Sequence, residues 1–366
     1  MRSSAAPPAR LKAGERLRDQ RIERVEPLVA PTALFEELPL TDLHAKVVLR
    51  GRSEIHAILD RVDDRLLVVV GPCSVHDVRA TLEYAERLSE QAARLRADVC
   101  VAMRVYFEKP RTTTGWKGLI NDPHLDGSGD VNTGLRTARG VLLGVLALGL
   151  PVGCEFLDPI TPQYISDAVS WGAIGARTTE SQIHRQLGSG LSMAVGFKNR
   201  TDGNVQVAVD AVRAAAVQHA FAGIDVDGTP AILYTRGNVD GHIILRGGRE
   251  GPNYGAESVE KALALLHSAG LPERVVIDAS HDNSGKDADR QPPVAADVAA
   301  QIAGGNRAIV GVMLESFLLA GRQDLASPDA LTYGQSITDA CIDWETTVEV
   351  LDGLAGAVRA RRTVEQ

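Results

Sequence analysis

Short apolar runs recur along the chain, and each is followed by a residue that chemistry could use. Stretches with helical spacing of apolar positions separate most of these runs. The eight runs and the residues that follow them are LLVVV before Cys73, VCVAM before Arg104, PVGC before Glu155, AIGA before Arg177, MAVGF before Lys198, HIIL before Arg246, RVVIDAS before His281 and IVGVML before Glu315. Eight strands alternating with helices predict an α/β fold, a (β/α)8 TIM barrel. The loops after the strands would then gather these eight residues at one face.

The segments around this repeat predict additions to the barrel. Residues 1–62 form an N-terminal arm and a helix expected to make oligomer or regulatory contacts, and residues 63–366 form the catalytic barrel. From Thr41 to Arg61 the apolar positions recur at helical spacing with Thr41 as the N-cap, so this helix could plug the bottom of the barrel. Between Phe221 and Gly241 a short apolar run, AILYT, predicts an inserted β-hairpin before the sixth barrel strand.

Composition narrows the classes of partner. At 366 residues and 44% hydrophobic, the chain can fill one barrel of about 250 residues with an arm and insertions to spare. A net charge of -8 and a pI near 5.6 argue against a nucleic-acid partner. No stretch approaches the ~20 apolar residues of a membrane span, so no membrane partner is expected. Four cysteines, two of them inside predicted strands, indicate reduced thiols and a cytoplasmic protein.

Four residues predict a metal site, three that directly follow predicted strands and one in the segment after the eighth strand. They are Cys73, His281, Glu315 and Asp339. Their spacing matches no tight metal-binding motif, and each alone could serve packing or capping, as buried cysteines commonly do. Taken together on one rim, sulfur, nitrogen and oxygen donors suit a divalent ion such as Mn, Fe, Co or Zn.

Cationic residues at the same rim predict anionic substrates. The candidates are Arg104, Lys109, Arg111, Arg177, Lys198 and Arg246. Arginine forks bind carboxylate or phosphate bidentately, and a lysine whose pKa is lowered by neighbouring positive charge suits general acid work. Like charges on one rim repel unless anions are bound, so at least two anionic groups are expected. The loop KPRTTTGWKG at residues 109–118 suits a second phosphate, although a solvated polar loop has the same composition.

With these segments identified, the chain resembles the aromatic-amino-acid-regulated type I 3-deoxy-D-arabino-heptulosonate 7-phosphate (DAHP) synthases. The resemblance runs from RIERVEPL to the last predicted helix. It rests on the motifs VVVGPCSVHD, MRVYFEKPRTTTGWKGLINDPH, GCEFLDPITPQY, WGAIGARTTESQIHR, VGFKN, HIILRGG, IDASHDNSGKD, GVMLESF and YGQSITDACIDWE. Members of that family condense phosphoenolpyruvate with erythrose 4-phosphate and release phosphate, the first step of the shikimate pathway to chorismate and the aromatic amino acids.

The resemblance implies roles for the candidate residues. It gives catalytic roles to Lys109, Cys73 and His281, and the metal to Cys73, His281, Glu315 and Asp339. It places phosphoenolpyruvate against Arg104, Lys109, Glu155, Arg177, Lys198 and Arg246, and the phosphate of erythrose 4-phosphate against Arg111 and Thr112. In this view the metal polarises the aldehyde oxygen, Lys109 protonates the developing alkoxide and water adds at C2.

The resemblance also implies regulation by phenylalanine, tyrosine or tryptophan. The matching effector residues are Pro162, Gln163, Leu187, Leu191, Ser192 and Phe221. The arm would reach across the interface of a homodimer or homotetramer. The chain departs from the family pattern at Arg200, where glycine is usual, at Asp282, where a small residue is usual, and at Pro159, where a larger apolar residue is usual.

Three other interpretations remain open from the sequence. A 3-deoxy-D-manno-octulosonate 8-phosphate synthase shares the barrel and the phosphoenolpyruvate chemistry, although KPRT at residues 109–112 favours the shorter sugar. A Schiff-base aldolase would use Lys109 or Lys198 as nucleophile and would not need Cys73. A non-catalytic barrel that only senses an aromatic amino acid would have no reason to keep both pockets.

Overall fold

A computed structural model describes residues 17–111 and 113–364 of the chain. Its strands are β1 (Leu66–Gly71), β2 (Val99–Arg104), β3 (Val152–Glu155), β4 (Trp171–Ile174), β5 (Ala194–Lys198), β6 (Ala220–Ile224), β7 (Pro230–Tyr234), β8 (His242–Leu245), β9 (Val275–Asp278) and β10 (Ile309–Glu315). Its helices are α1 (Pro31–Glu37), α2 (Asp42–Leu59), α3 (Val78–Leu95), α4 (Val131–Ala147), α5 (Pro162–Ile165), α6 (Gln182–Gly190), α7 (Gln206–Ala215), α8 (Ala256–Ser268), α9 (Gln291–Ala303) and α10 (Trp344–Val364).

Eight of the strands in the described chain close a parallel barrel in the order β1-β10-β9-β8-β5-β4-β3-β2. The first and last strands pair along their length, with Val70 opposite Leu314 and Gly71 opposite Glu315. Each of these strands is buried at every position, because helices cover the outer face and side chains fill the interior. This burial on both faces explains the continuous apolar runs, and the predicted (β/α)8 fold is confirmed.

The helix before the first strand closes the bottom of the barrel, as predicted. Thr41 caps α2 by accepting the backbone N–H of His44 at 3.3 Å. Ile55, Ile58 and Leu59 of this helix are at most 2% exposed and share one apolar cluster with side chains from the barrel interior, among them Trp171. Burying three aliphatic side chains stabilises the helix on the barrel by several kcal/mol, at about 1.5–3 kcal/mol each.

The predicted hairpin is also confirmed. Strands β6 and β7 form a separate antiparallel pair with Phe221 opposite Leu233, and exposed positions alternate with half-buried ones along β7 and over residues 220–223 of β6. This alternation is typical of a sheet with one solvated face. Exposed Ile232 and Tyr234 lie on that open face, at 64% and 79% exposure. The hairpin therefore presents apolar side chains to solvent.

The end of the N-terminal arm is tied to the barrel, whereas the part before it is exposed. The backbone N–H of Val29 donates to Asn132 on α4 at 2.8 Å, and the Tyr164 hydroxyl donates to the Val29 carbonyl at 2.7 Å. Thr32 donates its N–H to the Val226 carbonyl beside the hairpin. Residues 17–28 are exposed and form no regular helix or strand, so RIERVEPLV lies in an irregular arm.

The C-terminal helix fastens the other end of the chain to the base of the barrel. Arg362 on α10 pairs with Asp64 at 2.6 Å and with Asp98 at 2.7 Å, so it joins the segments that lead into β1 and β2. The predicted domain boundary at residue 62 stays a prediction; it falls between α2 and β1. Within the described chain, no helix has both the length and the apolar character needed to cross a bilayer.

Candidate active site

The parallel barrel brings its strand ends to one rim, where a cleft opens. The residues that line it are Arg104, Lys109, Pro110, Arg111, Glu155, Gly175, Ala176, Arg177, Lys198, Thr201, Arg246, His281, Lys286, Thr338 and Asp339. Cys73 and Glu315 are almost fully buried, at 0% and 1% exposure. Thr112, predicted to bind the second phosphate, lies outside the described residues. All other predicted metal and substrate residues lie at this end of the barrel.

A compact group of atoms that could hold a metal ion lies at the seam where β1 meets β10. The sulfur of Cys73 and carboxylate oxygens of Glu315 and Asp339 all lie within 4.8 Å of one another. The Nε2 atom of His281 is 3.7 Å from the nearer Glu315 oxygen. Sulfur, carboxylate and imidazole donors at this spacing fit a borderline divalent ion.

The electrostatics of this group also fit a cation. Burial and the negative charge of Glu315 raise the pKa of the Cys73 thiol to about 11. A thiol ligates metal as the thiolate, and a bound cation favours that form. Asp339 differs, because the raising effect of burial on its pKa is outweighed by Lys109 and His281, and its pKa is lowered. The group is therefore suited to hold positive charge between these side chains.

Neighbouring side chains fix the positions of the ligand atoms. Arg104 donates to the Glu315 carboxylate at 2.8 Å. Gln291 accepts the Glu315 backbone N–H at 2.9 Å and donates to its carbonyl at 3.0 Å. The backbone N–H of Asp339 donates to the Cys73 sulfur at 3.4 Å. These contacts link the loops after three strands into one unit.

The imidazole of His281 is oriented by groups on its far side. Its Nδ1 atom lies 2.9 Å from Asp278 and 2.8 Å from the Ser280 hydroxyl, so Nε2 is left toward Glu315. A positive φ of 53° at His281 is part of this turn. Ligating histidines commonly have such a carboxylate behind the ring. Sequence reasoning missed Asp278, although an acid that ends the apolar run VVID was a usable signal.

Lys109 connects the ligand group to the cleft. Its ammonium donates to the Cys73 sulfur at 2.8 Å. Burial alone would lower the pKa of Lys109, but Cys73 and Glu315 outweigh this effect, and its pKa is raised. The positive charge of Arg104 lowers the pKa of Lys109, but the acidic neighbours have the larger effect.

Arg104 is buried and makes several contacts. Arg104 stacks 3.6 Å above the ring centre of Tyr106 and donates to the backbone carbonyls of Pro72 and Cys73, both at 3.1 Å. Sequence reasoning missed Tyr106, which follows β2 in a region without polar signal. Arg104 makes these hydrogen bonds and also lines the cleft wall.

Lys198, at the end of β5, lies between two carboxylates that end β3 and β9. Its ammonium is 3.5 Å from Glu155 and 3.5 Å from Asp278. Burial raises the pKa of Glu155, but Lys198 and Lys109 outweigh it, so the pKa of this carboxyl is lowered. The acid in this buried pair is therefore ionised at neutral pH.

The remaining predicted cations have capacity for an anion. Arg177 is exposed over the cleft, and no described residue forms a hydrogen bond or ion pair with its guanidinium. Arg111 is also exposed, and among the residues that the structure describes its guanidinium donates only through Nε, to the Trp116 carbonyl at 2.7 Å. Arg246 is buried, and its Nε has no partner among the described residues. Lys286, absent from the sequence predictions, lines the same cleft.

The three departures from the family pattern have different surroundings. Arg200 pairs with Glu180 at 2.7 Å and with Asp202 at 2.9 Å, so two carboxylates compensate its charge. Asp282 pairs with Arg246 inside the cleft wall. Pro159 is exposed in the loop after β3.

The predicted effector residues fall on three neighbouring segments. Pro162 and Gln163 begin α5, Leu187 is buried on α6 with Leu191 and Ser192 following, and Phe221 lies on β6. The Ser189 hydroxyl lies 2.7 Å from that of Thr235, which ties α6 to the end of the hairpin. Whether these residues form one binding site stays a prediction.

The fold and site define an enzyme for small anionic substrates. Its cleft combines guanidinium donors that have no partner among the described residues with a thiol, imidazole and carboxylate group. In (β/α)8 barrels the active site lies at the carboxyl ends of the strands, where this cleft opens.

Comparison with known proteins gives the family. Residues 47–352 match the DAHP synthetase I family. The chain is 56% identical over 344 residues to the Phe-sensitive phospho-2-dehydro-3-deoxyheptonate aldolase of Escherichia coli (strain K12), covering 94% of this chain and 98% of that protein. It is 51% identical to a tyrosine-inhibited aldolase of the same name from Schizosaccharomyces pombe, covering 95% of each. A solved aldolase structure from Francisella tularensis SCHU S4 superposes with a TM-score of 0.91 at 51% identity, covering 93% of this chain and 99% of that one.

The chain therefore belongs to the DAHP synthetase I family, as its motifs predicted, and it is an enzyme of the DAHP synthase type. The two relatives differ in the effector that their names state, although both are more than half identical to this chain. Overall similarity therefore does not identify the effector.

Proposed function

We propose that the protein condenses phosphoenolpyruvate with D-erythrose 4-phosphate and water to give DAHP and phosphate. The single observation that carries the proposal is the position of Lys109, which contacts the Cys73 sulfur and also lines the anion cleft. A proton donor at this junction can serve a carbonyl beside the ligand group while an anionic partner occupies the cleft.

The cations divide the binding work between them. Arg104 and Lys198 are buried at the base of the cleft and suit the carboxylate and phosphate of phosphoenolpyruvate, together with Arg246 and the exposed Arg177. Arg111, farther out on the loop after β2, suits the phosphate of the sugar. Glu155 holds the Lys198 ammonium at a fixed position through their ion pair.

Cys73, His281, Glu315 and Asp339 would hold a divalent ion, of which Mn, Fe, Co and Zn are all compatible with the donor set. When bound, such an ion supplies Lewis-acid polarisation of a carbonyl oxygen. Lys109 would donate its proton to the alkoxide that develops at that oxygen. Asp278 keeps the His281 ring turned toward the ligand group.

Regulation and assembly are the finer parts of the proposal. Phenylalanine, tyrosine or tryptophan would bind at the predicted effector residues between α5, α6 and the hairpin. The arm carries exposed apolar residues, with Leu17 and Val25 both 82% exposed, and the hairpin exposes Tyr234. Burial of these groups against a second copy would give a homodimer or homotetramer. Four free, buried cysteines support a cytoplasmic protein.

A phosphate-release assay with both substrates tests the proposal. Turnover is expected with phosphoenolpyruvate and erythrose 4-phosphate, loss of it with a chelator, and recovery with added divalent ion. Arabinose 5-phosphate in place of erythrose 4-phosphate tests the longer-sugar alternative, and borohydride trapping tests a Schiff base. Each aromatic amino acid is then added singly. Full activity after complete metal removal would contradict the ligand assignment.

A further inference from the structure

One carboxylate in the cleft wall pairs with an arginine that is proposed to bind the substrate. Asp282, in the short helical turn His281–Asn283 after β9, pairs with the NH1 nitrogen of Arg246 at the end of β8. Arg246 is only 5% exposed and lines the cleft, whereas the Asp282 side chain is 25% exposed. The partner of this buried guanidinium is therefore a carboxylate that solvent can reach.

The Arg246 backbone is fixed independently of this pair. Its N–H donates to Asn199 at 2.8 Å, and its carbonyl accepts the N–H groups of Asp282 and Asn283. Asn283 in turn donates to the Leu245 carbonyl at 3.1 Å. The backbone contacts hold the two loops together, so the side-chain pair is not needed to bring them close.

The pair leaves part of the guanidinium for a ligand. The Nε of Arg246 is buried and has no hydrogen-bond partner among the described residues, which is unusual for a charged donor. Arg246 also lines the cleft in which an anion would bind. Arginine binds phosphate best when two parallel N–H groups and its full charge are available. A carboxylate on NH1 reduces both.

We propose that Asp282 is an affinity-setting residue, a resident carboxylate that competes with the phosphate group of phosphoenolpyruvate, and with product phosphate, for Arg246. The inference rests on the proposed function, in which Arg246 binds that group. Asp282 acts through Arg246 and is a positioning residue. It weakens the hold of the cleft on phosphate and so favours release of the phosphate product.

Substitutions at Asp282 test the inference. Asp282→Asn keeps the size of the side chain but removes its charge, and Asp282→Ala removes the contact altogether. For each variant, the dissociation constant of inorganic phosphate is measured by calorimetry and the KM for each substrate by phosphate release. Both variants are expected to bind inorganic phosphate about three- to tenfold more tightly than wild type, within the range of one partly exposed charge pair. The KM for phosphoenolpyruvate is expected to fall in parallel, while that for erythrose 4-phosphate does not change.

Asp202→Asn is the matched control. Asp202 pairs with Arg200 at 2.9 Å on a neighbouring loop, so this variant removes one negative charge from the rim without touching Arg246. Its phosphate affinity is expected to stay within about twofold of wild type, because exposed pairs contribute little. Tighter phosphate binding in this control, equal to that in the Asp282 variants, would show a general charge effect and overturn the inference.

Unchanged or weaker phosphate binding in both Asp282 variants would also overturn it, provided that thermal unfolding shows them folded. Failure of the proposed function has a different signature. In that case wild type neither binds phosphoenolpyruvate nor releases phosphate with both substrates. Wild type that turns over normally while the Asp282 variants match it in phosphate affinity rejects the inference alone.

Discussion

At the amino-terminal end of the barrel the strands enclose Ile58 and Trp171, whereas at the carboxyl-terminal end they enclose Arg104 and Glu315. The amino-terminal end is closed to solvent, whereas a cleft opens above the buried groups of the carboxyl-terminal end. The lower end is filled by apolar side chains of α2, which precedes the barrel. The upper end holds ionised groups, each of which needs a partner to offset the loss of water.

The apolar base and the charged mouth of the barrel therefore have different tolerance for substitution. Apolar side chains at the base can be exchanged for others of similar volume at small cost, because dispersion and burial are not directional. Charged groups at the mouth cannot, because each hydrogen bond has one geometry and a lost partner leaves a buried charge. Substitutions at the base should therefore change stability, and substitutions at the mouth should change activity.

Two buried cysteines give the largest expected contrast. Cys73→Ala at the mouth removes a proposed ligand and is expected to lower kcat by about 1000-fold or more, the effect of several kcal/mol of lost Lewis-acid catalysis. Cys100→Ala at the base removes an equally buried thiol, whose neighbour is Glu54 at 3.7 Å, and should leave kcat within about twofold. Phosphate-release kinetics on both variants measure the contrast. Full turnover by Cys73→Ala would refute the ligand role of this thiol.

Truncation of a buried side chain on α2, the helix that closes the bottom of the barrel, should lower stability and leave activity unchanged. Ile55→Ala, at a fully buried position, is expected to lower the free energy of unfolding by about 2–5 kcal/mol and to leave kcat near wild type at temperatures where the variant is folded. Leu49→Ala on the same helix is the control, because Leu49 is 64% exposed and should change stability by less than about 0.5 kcal/mol. Chemical denaturation measures both. Equal losses in the two variants would show that α2 does not depend on its buried face.

A buried acid beside the mouth gives a pH-dependent effect. Burial raises the pKa of Glu108 to about 7, and the neighbouring Asp158 adds to this. The stability that its neutral form contributes is fully present below about pH 4.5 and is lost as pH rises through about 7. Glu108→Gln should remove this loss, so its stability relative to wild type should rise by up to about 3 kcal/mol between pH 5 and pH 8.

Denaturation curves of both proteins at the two pH values measure the difference. The buried Thr161 hydroxyl donates to Glu108 at 3.1 Å, and glutamine keeps an oxygen that can accept this bond. A pH-independent difference between the two proteins would show that Glu108 stays in one protonation state across this range.

The smallest effect is expected at the start of the plug helix. Thr41→Ala removes the capping bond to the His44 N–H and should lower the free energy of unfolding by about 1 kcal/mol, without changing kcat. Thr41→Ser is the control, because serine keeps the hydroxyl acceptor. Thermal unfolding of the three proteins measures the effect, and equal losses in the alanine and serine variants would assign it to the methyl group.

Much of the barrel could be predicted because parallel strands buried on both faces leave continuous apolar runs, as in Leu66–Gly71. The residues after those runs followed from the same logic. Asp278 was missed although it ends the apolar run VVID, because its role depends on His281 turning back toward it. The pairing of Asp282 with Arg246 joins two loops, and no spacing in the sequence encodes such a contact.

The pairing of β1 with β10 has a consequence for synthesis of the protein. Cys73 follows the first strand, and Glu315 ends the last, so the ligand group spans the junction that closes the cylinder. A nascent chain on the ribosome cannot assemble this centre until almost the whole polypeptide has emerged. Prematurely terminated products would lack the far half of the junction and would be inert, which ties the onset of activity to completion of translation.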